Sequence, residues 1–254
     1  MKLRSLFVAA AAALLLTAVL APRANATLIV YFNFEDGVIG TTGTFDMAAD
    51  VTPANPGGGI QNSTLTLNPT YSAANFGTVD ALAIASLNRT AGDIDTTNNA
   101  ALNLNKTMSN DPAYLQFNVD TTFLRDLSLS FAVDNNGNGF NTVTLSYSAT
   151  GAAGPFTPIG TSQFIATGPA ILITGSGSWG TTFNVTPSAA GYFRLTFTGG
   201  QSNGNNRETV IDNIQLGGTV IPEPATVAGG LLGICGLCWH QRRRLVRFAR
   251  LRSA

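Results

Sequence analysis

The sequence predicts an all-β fold, an antiparallel β-sandwich of the jelly-roll type, over residues 27–219, and three observations carry that reading. Apolar and polar residues alternate strictly in several segments, and a period of two puts one face of a strand into a core. Gly and Asn gather between those segments, where turns need them. No part of residues 27–221 sustains a helical period. That span holds 195 residues, enough for one sandwich with a full core.

Taken in order, Thr27 to Glu35 is rich in β-branched and aromatic residues and reads as the first strand. Asp36-Gly37 makes a turn. Residues 37–63, rich in Gly, Thr, Pro and Ala, read as a long loop with short extended pieces at most. Leu65 and Leu67 mark a short strand. Residues 71–112 read as irregular, with a short strand or one helical turn at Ala81 to Leu87.

From Tyr114 the alternation sharpens. Tyr114, Phe117 and Val119 lie in one strand; Leu127, Leu129, Phe131 and Val133 lie in the next; Val143, Leu145 and Tyr147 follow. The stretch Asp134-Asn135-Asn136-Gly137-Asn138-Gly139 joins the last two, and its Asn-Gly steps favour a hairpin turn. The same stretch imitates the opening of a calcium loop, but Leu145 stands where a bidentate Glu is required. Extended segments follow at 164–166, 170–174 and 181–186. Tyr192 to Phe197 and Thr209 to Leu216 close the domain.

The two ends have a different composition. Lys2 and Arg4 precede an apolar run from Leu6 to Leu20, and Ala24-Asn25-Ala26 follows. A basic start, an apolar middle and a small-x-small site predict a secretory signal peptide over residues 1–26, cut by signal peptidase at the Ala24 and Ala26 site. At the other end, residues 220–254 run through Pro222-Glu223-Pro224, an apolar stretch Ala225–Trp239 and a tail that begins its basic cluster at Arg242, Arg243 and Arg244. The apolar stretch reads as a short transmembrane helix. Its fifteen residues span about 22 Å, short of a roughly 30 Å bilayer core. The arginines keep the tail cytoplasmic by the positive-inside rule.

The whole chain is formally neutral, yet residues 27–221 hold five basic against thirteen acidic residues, a formal charge of −8. Such a surface disfavours nucleic acid, whose affinity comes from Lys and Arg on phosphate. Both cysteines, Cys235 and Cys238, and the single histidine, His240, lie in the C-terminal segment. The body therefore has no Ser-His-Asp or Cys-His site and no His-ligated zinc. It reads as no enzyme; the alternative is a carbohydrate-active enzyme, hydrolase or lyase, working through paired carboxylates.

Two features of the body invite a ligand. Glu35 and Asp36 on the first strand and Asp212 on the last, beside Asn213, converge if those strands are neighbours. An oxygen-only set of this kind suits a structural Ca²⁺; the alternative is a turn at one end and a strand kink at the other. Trp179, the only tryptophan of the body, suits either sugar stacking or rim packing.

The C-terminal residues, Val220-Ile221-Pro222-Glu223-Pro224, Ala225–Trp239 and Arg242–Arg244, resemble the PEP-CTERM sorting signal of bacterial exported proteins. That resemblance implies processing by an exosortase-type membrane enzyme. It also implies transient anchoring, release to the cell surface or extracellular matrix, and association with biofilm exopolysaccharide. The stretches Phe34-Glu35-Asp36, Leu127–Val133, Gly154-Pro155-Phe156 and Ile211–Ile214 are similar to those of lectin-like and carbohydrate-binding jelly rolls. Together these imply a structural or adhesive surface protein with polysaccharide as a partner.

Overall fold

The computed structural model describes residues 27–34, 42–43, 46–48, 64–68, 71–72, 76–80, 87, 100–105, 110–137, 139–166, 168–174, 182–200, 207–221, 230 and 232–243. The strands, in chain order, are β1 (Thr27–Phe32), β2 (Thr42–Gly43), β3 (Asp46–Ala48), β4 (Thr64–Asn68), β5 (Tyr71–Ser72), β6 (Phe76–Asp80), β7 (Ala100–Asn105), β8 (Ala113–Val119), β9 (Leu124–Gly137), β10 (Thr142–Ser148), β11 (Thr157–Pro158), β12 (Gln163–Phe164), β13 (Gly168–Thr174), β14 (Gly191–Thr198) and β15 (Arg207–Val220). They form two large antiparallel sheets. The first runs β13-β9-β15-β7-β6, with β1 also paired to β15. The second runs β11-β10-β14-β8-β4-β3, with β12 also paired to β10. β2 and β5 make a small separate pair.

The predicted alternation decides which side of each strand is buried. Leu127, Leu129, Phe131 and Val133 of β9 enter one core with Leu115, Phe117 and Val119 of β8 and Phe193, Leu195 and Phe197 of β14. Rings from the two sheets meet across it: Phe32 against Phe117 at 5.6 Å and Phe131 against Phe197 at 6.4 Å, both edge to face. Edge-to-face contact sets the positive rim of one ring on the negative face of the other. The sheets thus stack as a sandwich.

The first and last strands are neighbours, as a jelly roll requires. β1 pairs with β15 from Thr27↔Gly218 to Phe32↔Ile214. β7 pairs with the other half of β15, from Glu208↔Asn105 to Ile211↔Leu102. β1 and β7 therefore share one side of β15, end to end, and the seam falls at Asp212-Asn213. There the pairing of β15 with β9 also slips, and Asn213 takes a φ of 51°. Asn is among the few residues that adopt this left-handed conformation readily.

Two expectations need correction. The hairpin expected at 134–139 does not form. β9 extends to Gly137 in the first sheet, while β10 lies in the second. The segment crosses between sheets because Phe140 is drawn fully into the core. Its N–H donates to Thr209 Oγ1 at 2.8 Å, and its carbonyl accepts from Asn135 Nδ2 at 3.0 Å. A Cβ at Gly139 would collide with Thr209 Oγ1 and the Glu208 carbonyl, so glycine allows the close approach at this corner. The Asn-Gly steps thus serve a crossover.

Second, residues 71–112 are not irregular throughout. They carry β7, whose Leu102 and Leu104 lie in the core. Its Ala and Asn neighbours hide the strand from propensity, and packing decides it.

No helix among the described residues is long and apolar enough to cross a membrane, and residues 225–229 and 231 of the expected helix lie outside them. Helical residues run from 232 to 243, all exposed, and carry Arg242 and Arg243 in the last turn. The Arg243 guanidinium lies 5.2 Å from the Trp239 ring centre.

Candidate binding face

Most site residues named from the sequence lie outside the described residues: Ala24, Ala26, Glu35, Asp36, Trp179, Pro222, Glu223, Pro224 and Arg244. Asp212 and Asn213 are described, and both are buried. They sit on the outer side of the first sheet, at the seam of β15. The Tyr31 hydroxyl donates to Asn213 Oδ1 in a short hydrogen bond. Asn213 Nδ2 donates to the Leu87 carbonyl at 2.8 Å, and the Asn213 N–H donates to Asp212 Oδ1 at 2.8 Å. These bonds explain Asp212-Asn213 as a kinked junction that pins β1 and the Leu87 segment onto β15. Among the described residues no three His, Cys, Asp or Glu side chains gather to hold a metal ion.

Around that seam the outer face of the first sheet is acidic and covered. Val210 pairs with Asp134 on one side and Asn103 on the other, so all three point the same way. Leu87 packs over Ala101, Ala132 and Val210. Burial pushes the Asp134 carboxyl above the usual carboxylate range, because loss of water penalises the charged form. Asn103 is 4% exposed, and its Oδ1 has no hydrogen-bond partner among the described residues.

The outer face of the second sheet is different, and it is the better candidate for a ligand. Cross-strand pairing builds one row, Thr66–Gln116–Arg194–Ser146. The row beside it is Tyr114–Thr196–Thr144. Arg194 comes outward because Phe193 and Leu195 on either side of it are core residues. Its guanidinium carbon lies 4.0 Å from the Tyr114 ring centre and 3.6 Å from that of Phe156. Cation–π attraction and flat stacking both favour such a position. Arg194 Nε and Nη2 donate to Gln116 Oε1 at 3.0 and 2.6 Å, and Nη2 also reaches the Ala152 carbonyl at 3.4 Å. Gln116 Nε2 donates to the same carbonyl at 3.2 Å.

The loop that brings Phe156 over the sheet depends on Gly154, which has a φ of 87°. A Cβ there would stand 2.9 Å from the Phe156 ring. The Gly154-Pro155-Phe156 stretch thus shapes this face.

Arg194 has no carboxylate partner among the described residues; its polar contacts are an amide and a carbonyl oxygen. Burial lowers its pKa from the ordinary arginine value, and Tyr114 pulls the other way. The group stays charged at any physiological pH. Sequence reasoning missed Arg194 as a site residue. The signal was present: it is the one charged residue within the alternating strand Tyr192–Phe197.

No protein-family model matches this chain, and no curated protein matches its sequence. Solved structures do resemble it in part. The enzymatically active domain of bacteriophage CBA120 tailspike protein 4 is 13% identical at a TM-score of 0.33, over 73% of this chain and 20% of that one. This chain thus spans about a fifth of that domain's length. The K1 cleaved adhesin domain of Lys-gingipain from Porphyromonas gingivalis W83 is 14% identical at 0.38, over 76% of this chain and 97% of that one. The CBM22-1 xylan-binding domain of Paenibacillus barcinonensis Xyn10C is 9% identical at 0.40, over 78% and 97%. Likeness at this level says nothing about a shared ligand.

Proposed function

We propose that this is an exported bacterial surface or matrix protein whose sandwich binds polysaccharide on the outer face of the second sheet. The observation that carries the reading is the Arg194 cluster: a guanidinium held between Tyr114 and Phe156, oriented by Gln116, and flanked by the half-exposed Thr144 and Thr196. Hydroxyls, amides and ring faces are the groups that meet sugar hydroxyls and sugar C–H faces, and a few well-placed polar groups give orientation. Export rests on the sequence alone: the leader ending at Ala26, and the C-terminal order of Pro222-Glu223-Pro224, apolar run and arginines. In this reading signal peptidase and an exosortase-type enzyme process the chain, and the short anchor is temporary.

A structural calcium ion near Asp212 is the second part of the proposal. It is supported by the pairing of β1 with β15, which ends beside Asp212, and by the buried Asn103 Oδ1 on the same face, which has no partner among the described residues.

The test is a panel of neutral and acidic polysaccharides, scored for binding and for hydrolysis with the purified protein. Binding without turnover supports the proposal. Turnover moves the protein to the carboxylate-enzyme alternative. Neither outcome leaves a purely structural module.

A further inference from the structure

We infer that Arg194 selects an acidic polysaccharide, taking the carboxylate of a uronic acid residue. The inference rests on the glycan reading above and names the class of glycan. A half-buried guanidinium that has lost part of its water and has no counter-ion among the described residues is unusual, because buried charges are ordinarily paired. Here Nε and Nη2 are spent on Gln116 and Ala152, while Nη1 has no partner among the described residues. Two aromatic rings and one amide oxygen hold the plane of the group. The donor is thus oriented before any ligand arrives, which lowers the entropy cost of binding.

The surroundings fit a sugar acid better than a bare anion. The neighbours of Arg194 on the adjacent strands are Gln116 and Ser146, with Tyr114 and Thr196 in the next row. All four are neutral; Gln116 and Ser146 are buried, and the half-exposed Tyr114 and Thr196 are the ones that suit sugar hydroxyls. Asp134 and Asp212 lie on the outer face of the other sheet, while on this face the row continues past Thr66 to Asp46, three strands from Arg194. The formal charge of −8 over residues 27–221 repels a polyanion at long range, but at physiological salt the screening length is about 8 Å. A single oriented cation then acts locally.

The experiment titrates the intact protein with polygalacturonate, with the same polymer fully methyl-esterified, and with neutral xylan, by calorimetry at physiological salt. The expected result is binding to polygalacturonate, at least tenfold weaker binding to the ester, and a loss of that preference in Arg194→Met. Arg194→Lys keeps the charge without the flat fork and should recover part of the preference. Esterification changes the ligand alone, so that comparison stands even if a variant folds poorly. Equal affinity for acid and ester, or binding to xylan alone, overturns the inference and leaves the glycan reading intact. Binding to none of the three, within a wider panel that also gives nothing, overturns both.

Discussion

On the outer face of the first sheet, the row Asp134–Val210–Asn103 lies beside buried Asp212. On the outer face of the second, the row Thr66–Gln116–Arg194–Ser146 includes a half-exposed Arg194. Both faces are built by the same antiparallel geometry, with alternate residues turned away from the core. Their difference lies in what polar groups do there. On the first face the asparagine and tyrosine bonds close on one another: Tyr31 to Asn213, Asn213 to Leu87, and Asn213 to Asp212. That network joins strands. On the second face the bonds orient one cation and leave part of it unused. The comparison teaches that a satisfied polar cluster under a cover holds the fold, whereas an oriented charge without a counter-ion is available to a ligand.

Substitutions on either face separate the two roles. The largest effect is expected at Tyr31, which is fully buried. Tyr31→Ala should cost about 3–5 kcal/mol in denaturant unfolding, from the cavity and the lost bond together. If it changed glycan binding without changing stability, the assignment of the two faces would be wrong.

Next comes Asn213→Ala. It strips two side-chain bonds at a residue with a φ of 51°, and it should cost about 1–3 kcal/mol. Asn213→Gly, which accepts that φ, should cost less, and the difference measures the backbone contribution.

Removal of calcium should lower the melting temperature by several degrees, since an ion bound only to the folded state stabilises it by mass action. An unchanged melt with a chelator, compared with excess calcium, would remove the ion from the account.

The smallest effect is at Asp134. Burial raises its folded pKa above the ordinary unfolded value of 3.8. The folded state then binds more protons in the window above 3.8, so this residue's contribution to stability falls as pH rises through that window. Asp134→Asn should flatten that fall and slightly raise the melting temperature at neutral pH. A steeper fall in the variant would mean that another group titrates.

Much of the sandwich was legible in the sequence. The alternation at 127–133, 143–147 and 192–197 names the inward residues of β9, β10 and β14 directly. The adjacency of the first and last strands also follows from the fold class. The crossover at 134–140 was not legible, because Asn and Gly favour a tight turn but do not specify one. What prevents it is Phe140 entering the core beside Thr209, a contact 69 residues apart in the chain. Nor was the Arg194 cluster legible. It joins Tyr114 and Gln116 from β8, Arg194 from β14 and Phe156 from a loop. No local pattern connects those four positions; only register does. Asp212-Asn213 was legible as polar residues in an apolar strand, and the structure places the seam of β1 and β7 there.

The decisive experiment changes one residue on each outer face and titrates both proteins with the same acidic polysaccharide. Gln116→Ala removes the acceptor that orients Arg194, and Asp134→Asn alters the opposite face. The account predicts at least tenfold weaker binding for Gln116→Ala and unchanged affinity for Asp134→Asn, with both proteins folded by their melting curves. Unchanged binding in Gln116→Ala together with a loss in Asp134→Asn would place the ligand on the first sheet and contradict it.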